Sequence, residues 1–291
     1  MTQERTTTTS KEALEATGVT VATAENDDGA PHQPEGSGGL LSRRPVRLLL
    51  GLIVPALILA GWQLNSVVGV FSAVQLPPPA AVFNAAVELI ERGELGIHIA
   101  ISTQRVLIGF AVGAILGVVL GALLGLSRLA DNLLGPTIGG IRAVPSLAWV
   151  PLLLLWIGIN EDSKVTLITI GAFFPVFTTV SLALRHVDRN LVEAGRAFGL
   201  KGLGLLTKVQ LPSIIPALFS GLRLALAQAW LFLVAAELLA SSMGLGFLLT
   251  DSQQNGRVDR LFLTIILLAI IGKTTDALLG IAERWAIRRW T

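Results

Sequence analysis

The sequence predicts an all-α protein, a polytopic bundle of about six membrane-spanning helices. Three observations carry the prediction. Hydrophobic residues fill 52% of the 291 positions. Charged residues fill only 14%, against roughly 25% in an ordinary soluble domain. The charges are also unevenly spread, since residues 1–47 hold 12 of the 42. A soluble globule of this composition lacks the polar surface to cover itself, which excludes a typical cytosolic enzyme and makes a lipid bilayer the expected surrounding. No nucleic-acid partner is expected.

Residues 1–42, rich in Thr, Glu, Ala, Gly and Pro, show no apolar periodicity and read as a disordered cytoplasmic tail. Residues 43–291 then form the transmembrane domain. The start is too polar and acidic for a signal peptide, so the first apolar run reads as an uncleaved anchor. Spans need about 20 mostly apolar residues. They fall at about 46–66, 99–126, 136–158, 164–184, 214–241 and 261–281. Pro145 and Pro151 interrupt the third. Prolines survive in membrane helices where neighbours satisfy the freed carbonyls. In the second span Gly109, Gly113, Gly117, Gly121 and Gly125 recur every four residues, which puts a glycine stripe on one face and lets another helix approach closely. That glycine is common in membrane helices accounts for some of these residues, but not for five in register. Residues 80–95 alternate apolar and charged positions as a short amphipathic helix on the outer surface. A cytoplasmic N-terminus puts twelve of the Lys and Arg residues on the inner side against four on the outer side. Six spans then leave both termini cytoplasmic in the cell membrane.

The loop 185–213 is the longest between spans and is neither greasy nor low in complexity. Asp188 is placed to cap a helix beginning at Arg189. Leu191, Ala194 and Phe198 share one face of it, and Gly199 stands where a left-handed residue would stop it. A second short helix is expected over about 202–209, with Leu203, Leu206 and Val209 on one side; Leu211 and Pro212 end it and start the fifth span. An apolar ridge on a basic loop calls for a cover. The cover is either a partner protein or the lipid interface.

The residues Glu193-Ala194-Gly195, three residues, Gly199, nine residues, and Val209-Gln210-Leu211-Pro212 resemble the EAA motif of ATP-binding-cassette importer permeases, E-A-A-x3-G-x9-I-x-L-P. The spacing matches throughout. Gly195 replaces the second alanine, which loosens the helix by about 1 kcal/mol, and Val209 replaces isoleucine. The resemblance spans about residues 45–291. It is nearest the aliphatic sulfonate permeases, within the taurine, nitrate and sulfonate group, through Arg105-Val-Leu-Ile-Gly-Phe110, Val144-Pro-Ser-Leu-Ala-Trp-Val-Pro151, Ala236-Glu-Leu238 with Gly244-Leu-Gly246, and Gly272-Lys-Thr-Thr-Asp276. It implies a type I importer permease in which Glu193, Ala194, Gly195, Gly199, Leu211 and Pro212 dock on an ATP-binding subunit. It further implies a permease homodimer, two ATP-binding subunits and an extracytoplasmic substrate-binding protein.

Charges inside spans are costly and face a cavity or a partner. Gln104, Arg105, Arg142, Thr169, Gln228 and Glu237 are the candidates for the translocation path. Glu237 either lines it or braces Arg105; Arg105 or Arg142 suits an anionic substrate such as a sulfonate. With no cysteine and three scattered histidines, no metal site or side-chain catalysis is expected. Gly272-Lys273-Thr274 lacks the upstream glycine of a phosphate-binding loop, so no cofactor is expected on this chain, and ATP and magnesium belong to the partner. The expected function is the permease subunit of an ATP-driven importer for alkanesulfonates or a related small anionic nutrient. The alternative is a secondary transporter or channel without an ATPase.

Overall fold

The computed structural model describes residues 44–290; the predicted tail 1–42 lies outside them. The described residues are helical, with short turns between. In chain order the helices are α1 Arg44–Val68, α2 Pro79–Glu91, α3 Glu94–Leu126, α4 Arg128–Ala143, α5 Trp149–Ile157, α6 Glu161–Arg185, α7 Arg189–Ala197, α8 Gly202–Leu205, a single turn α9 Leu211–Ser213, α10 Ile215–Ala240, α11 Leu245–Gln254 and α12 Val258–Trp290. A boundary between two compact units falls after Leu57, inside α1. The described residues of the first unit are the opening turns of that helix, and everything below concerns the second.

Among the described residues, α3, α6, α10 and α12 are long and apolar enough to cross a membrane. The predicted spans 99–126, 164–184 and 261–281 each fall within one of them, and 214–241 matches α10 to within a residue at each end. Two expectations need correction. The third span, 136–158, is not one helix. Pro145 has no N–H to continue α4 and pushes Val144 out of the helical region, to φ −71° and ψ 125°. A 3-10 turn follows at Ser146–Ala148, and α5 restarts at Trp149. Pro151 is tolerated there because a helix's first turn has no internal acceptors for its N–H groups. The second helix of the loop is also not continuous: α8 gives way to a π turn at Leu206–Gln210. In addition, α12 runs to Trp290, since no breaker follows its apolar stretch.

The core is a three-helix stack with α6 in the middle. The glycine stripe of α3 is its contact line with α6. A Cβ added at Gly109 would lie 2.6 Å from Ile168 Cγ2, at Gly113 2.6 Å from the Thr169 carbonyl oxygen, and at Gly117 2.8 Å from Val176 Cβ. These positions leave no free space for a side chain, so the two backbones lie against each other along more than four turns. On its other side α6 meets α10, where Gly171 makes room for Phe232. Ile168, Ala172, Val176 and Val180 of α6 are sealed between Val106 of α3 and Ala225, Ala229 and Leu233 of α10.

A second cluster joins Val82, Ala85 and Leu89 of α2 to Leu95, Leu248 and Leu263. The amphipathic helix predicted at 80–95 is thus α2. Its Glu88 accepts from Arg257 Nη2 at 2.7 Å and Arg260 Nη2 at 2.8 Å. The Arg257 guanidinium, helped by Arg260, holds the Glu88 carboxyl below the usual carboxylate range.

Candidate coupling surface and translocation path

The loop 185–213 is ordered by its own hydrogen bonds. Asp188 caps α7, its Oδ1 accepting from the Asn190 N–H at 2.8 Å. Arg189 Nε donates to Glu193 Oε1 at 2.8 Å across one exposed turn. Gly199 takes φ +79°. With that, the Gly199 N–H reaches the Arg196 carbonyl at 2.9 Å and the Leu200 N–H reaches the Gly195 carbonyl at 3.1 Å, the bond pair of a left-handed helix stop. Gly195 is buried. A Cβ there would sit 2.8 Å from Leu205 Cδ1 and 3.0 Å from Val209 Cγ2, so α7 lies directly on the second half of the loop. Leu211 and Leu206 pack half-buried against the core and Ile214 is buried in it, which ties the loop to the spans; Pro212 is half-buried beside them. Outward stand Leu191, Glu193, Ala194, Phe198 and Leu203. Phe198 is 88% exposed and Leu203 78%.

At the opposite end of α3 and α6 lies a polar knot. Arg105, buried on α3, directs Nε and Nη2 at the two carboxylate oxygens of Glu161, both at 2.6 Å. Its Nη1 donates to Glu237 Oε1 at 2.6 Å and to the Met243 carbonyl at 2.7 Å. Glu237, 1% exposed, also accepts from Ser102 Oγ at 2.8 Å and from the Gly246 N–H at 2.7 Å. Buried Lys164 donates to Glu161 Oε1 at 2.8 Å. Gly244, at φ +119°, and Gly246 let the chain wrap the Glu237 carboxylate, since a Cβ on either would overlap that side chain. Two cations and two carboxylates thus close on each other and join α3, α6, α10 and the start of α11.

Two cavities of about 320 Å³ each flank the stack. One lies beside the knot, lined by Gln104, Arg105 and Glu161. The other lies where α4 approaches α6 and α10, lined by Arg142, Thr178, Gln228 and the rings of Phe174 and Phe232.

Residues 113–288, more than half the chain, match the family model described as the binding-protein-dependent transport system inner membrane component. This chain belongs to that family. Relatives of this transport component include the aliphatic sulfonates transport permease proteins SsuC of Escherichia coli (strain K12) and Bacillus subtilis (strain 168). They are 42% and 41% identical over 235 and 234 residues, covering 81% and 80% of this chain and 89% and 85% of theirs. The taurine transport system permease protein TauC of Escherichia coli (strain K12) is 31% identical over 235 residues, 78% of this chain and 84% of its own. The inward-facing MetNI methionine ABC transporter contains a chain of the same fold, with a TM-score of 0.52 and 23% identity over 70% of this chain and 96% of that one. The protein is therefore a multi-pass membrane permease component of an importer.

Seen in this permease, the predicted path residues separate into three places. Gln104, Arg105 and Glu237 meet at the knot or its cavity. Arg142 and Gln228 share the other cavity. Thr169 joins neither: its hydroxyl donates to the Val165 carbonyl at 2.8 Å and the Gly109 carbonyl at 3.3 Å, along the seam between α3 and α6. Sequence reasoning missed Ser102, Glu161 and Lys164 as members of the knot. Glu161 reads as an ordinary acidic first-turn residue, and only the fold brings it to a buried arginine 56 positions away.

Proposed function

We propose that this permease works as a homodimer in an ATP-driven importer of alkanesulfonates or closely related small organic anions. Two ATP-binding subunits grip the loop 185–213, with ATP and magnesium held on those subunits, and an extracytoplasmic binding protein delivers the substrate. The loop and both termini face the cytoplasm. The observation that carries the reading is a rigid, capped loop that turns Leu191, Ala194, Phe198 and Leu203 to the outside while fastened to α6 and α10. A large aromatic ring held out on a stiff support suits a protein groove. Glu193, Ala194, Gly195 and Gly199 shape that support, and Leu211 and Pro212 transmit its motion to α10. The substrate class is supported by the names of the relatives more than 40% identical.

Coupling is tested by Gly199→Pro and Glu193→Lys in the reconstituted transporter. Proline removes the N–H that closes α7 and cannot take a positive φ. Both variants are expected to insert and fold, yet to lower ethanesulfonate import by about tenfold or more, equivalent to ~1.4 kcal/mol of coupling. Import at the wild-type rate in both variants, or a chain that never retains an ATP-binding subunit on purification, overturns the reading.

A further inference from the structure

We propose that the cavity around Arg142 is a binding site for the oxyanion head of a small organic anion, with its apolar tail against the neighbouring rings. The proposal rests on the import reading above and assigns it a place in this chain.

Depth comes first. Thr178, which Arg142 touches, stands seven residues before the end of α6, roughly 10 Å in at 1.5 Å per residue. Gln228, on the same cavity, stands near the middle of α10. An arginine at that depth is costly unless it is paired or faces a wet cavity. Arg105, Arg185, Arg223 and Arg260 all have carboxylate partners. Arg142 has none within ion-pair distance among the described residues. Its one side-chain bond is from Nη1 to Thr178 Oγ1 at 3.1 Å.

The donors around it converge. A guanidinium offers planar, paired N–H groups that match a sulfonate or carboxylate. The Thr178 hydroxyl accepts from Arg142, so its own proton remains to donate outward. Gln228 makes no side-chain hydrogen bond to another described residue, which leaves its carboxamide N–H₂ available. No acidic residue lines the cavity, so nothing there repels an anion. Phe174, Leu224 and Phe232 supply an apolar wall. About 320 Å³ is at the small end for ligand sites, which limits the occupant to a short-chain molecule. A lipid phosphate shares the head-group chemistry and is separated by the test.

The chain has no cysteine, so Thr179→Cys, on the cavity wall but not among its donors, introduces its one thiol, and Leu224→Cys serves as a second reporter. The assembled transporter is placed in phosphatidylcholine liposomes and labelled with a sulfonate-bearing methanethiosulfonate. Ethanesulfonate is expected to slow labelling several-fold at both positions, and choline at the same ionic strength is not. Adding Arg142→Gln is expected to abolish the protection, and Arg142→Lys to retain part of it. Equal labelling with and without ethanesulfonate overturns the site, as does protection by phosphatidylglycerol alone, which assigns the arginine to lipid. Import by the wild type without protection removes the site and leaves the import reading. Protection without import removes the import reading and leaves the site.

Discussion

Arg105 on α3 and Arg142 on α4 both reach α6 and are managed in opposite ways. Arg105 is 5% exposed, and its guanidinium is taken up by two carboxylates and a carbonyl. Arg142 touches one hydroxyl and opens on a cavity. Burial with full neutralisation makes a rigid joint, because removing any member strands a charge in a low dielectric. Exposure to a cavity without a counter-ion leaves a charge available to something that arrives. The difference teaches that a basic residue packed against the spans is not in itself a path residue. What decides is whether its donors are already spent on the protein.

The largest effect expected follows from that contrast. Arg105→Gln leaves Glu237 and Glu161 facing each other with one cation fewer, and should destabilise the folded protein by about 3–5 kcal/mol. Arg142→Gln strands nothing, and should fall within about 0.5 kcal/mol of wild type. Thermal unfolding in a mild detergent measures both. Equal losses in the two variants would erase the distinction between joint and site.

The second contrast sets a glycine sealed between α3 and α6 against one on the open surface of α4. Gly113→Val drives a branched side chain into the Thr169 carbonyl, where even a Cβ would lie at 2.6 Å, and should cost about 1–3 kcal/mol. Gly139, on α4, has nothing within 4 Å of an added Cβ, so Gly139→Ala should stabilise by up to about 1 kcal/mol through helix propensity alone. A neutral Gly113→Val would mean that α3 and α6 part easily and that the stripe is not their contact line.

Much of this was legible in the sequence because it rests on local signals. The stripe is a periodicity, the Asp188 cap and the Gly199 stop are single-residue devices, and α2 shows its two faces within four turns. Span 136–158 was misread because hydropathy averages over a break that Val144 and Pro145 make locally. Helix α11 was missed because ten residues containing Asp251 and four polar neighbours show neither span length nor a clear stripe. The knot was only half legible. Arg105 and Glu237 could be paired as opposite charges in spans, but Glu161, Lys164 and the turn at Met243 enter through folding across 56 to 138 positions. No spacing rule reaches that far.

Smaller effects are expected at the loop. Gly195→Ala restores the alanine of the EAA pattern and gains up to about 1 kcal/mol of helix propensity. The new methyl meets the flexible end of Leu205, at 2.8 Å, rather than backbone. The two terms nearly offset, and stability should change by less than about 1 kcal/mol. A large loss would show that α7 and the second half of the loop are held more rigidly than their side-chain contact implies.

The smallest effect expected is a pH-dependent one at Glu88, where α2 is fastened to Arg257 and Arg260. The paired carboxyl titrates below its value in the unfolded chain, with the Arg257 hydrogen bond as the main cause. A group depressed in this way stabilises the fold above its unfolded pKa, and the stabilisation is lost as the pH falls through the depressed folded value. Glu88→Gln should therefore lower the unfolding temperature at neutral pH, and the gap from wild type should close on acidification. Because these charges are partly exposed, added salt should narrow the gap as well. Ser102 and Glu237 in the Arg105 knot are sealed from solvent, so a Ser102→Ala variant there should lose stability to nearly the same extent at low and high salt. A Glu88→Gln gap that ignores both pH and salt would show that the carboxylate acts by shape and not by charge, and the Glu88 cluster and the Arg105 knot would then be held by the same kind of contact.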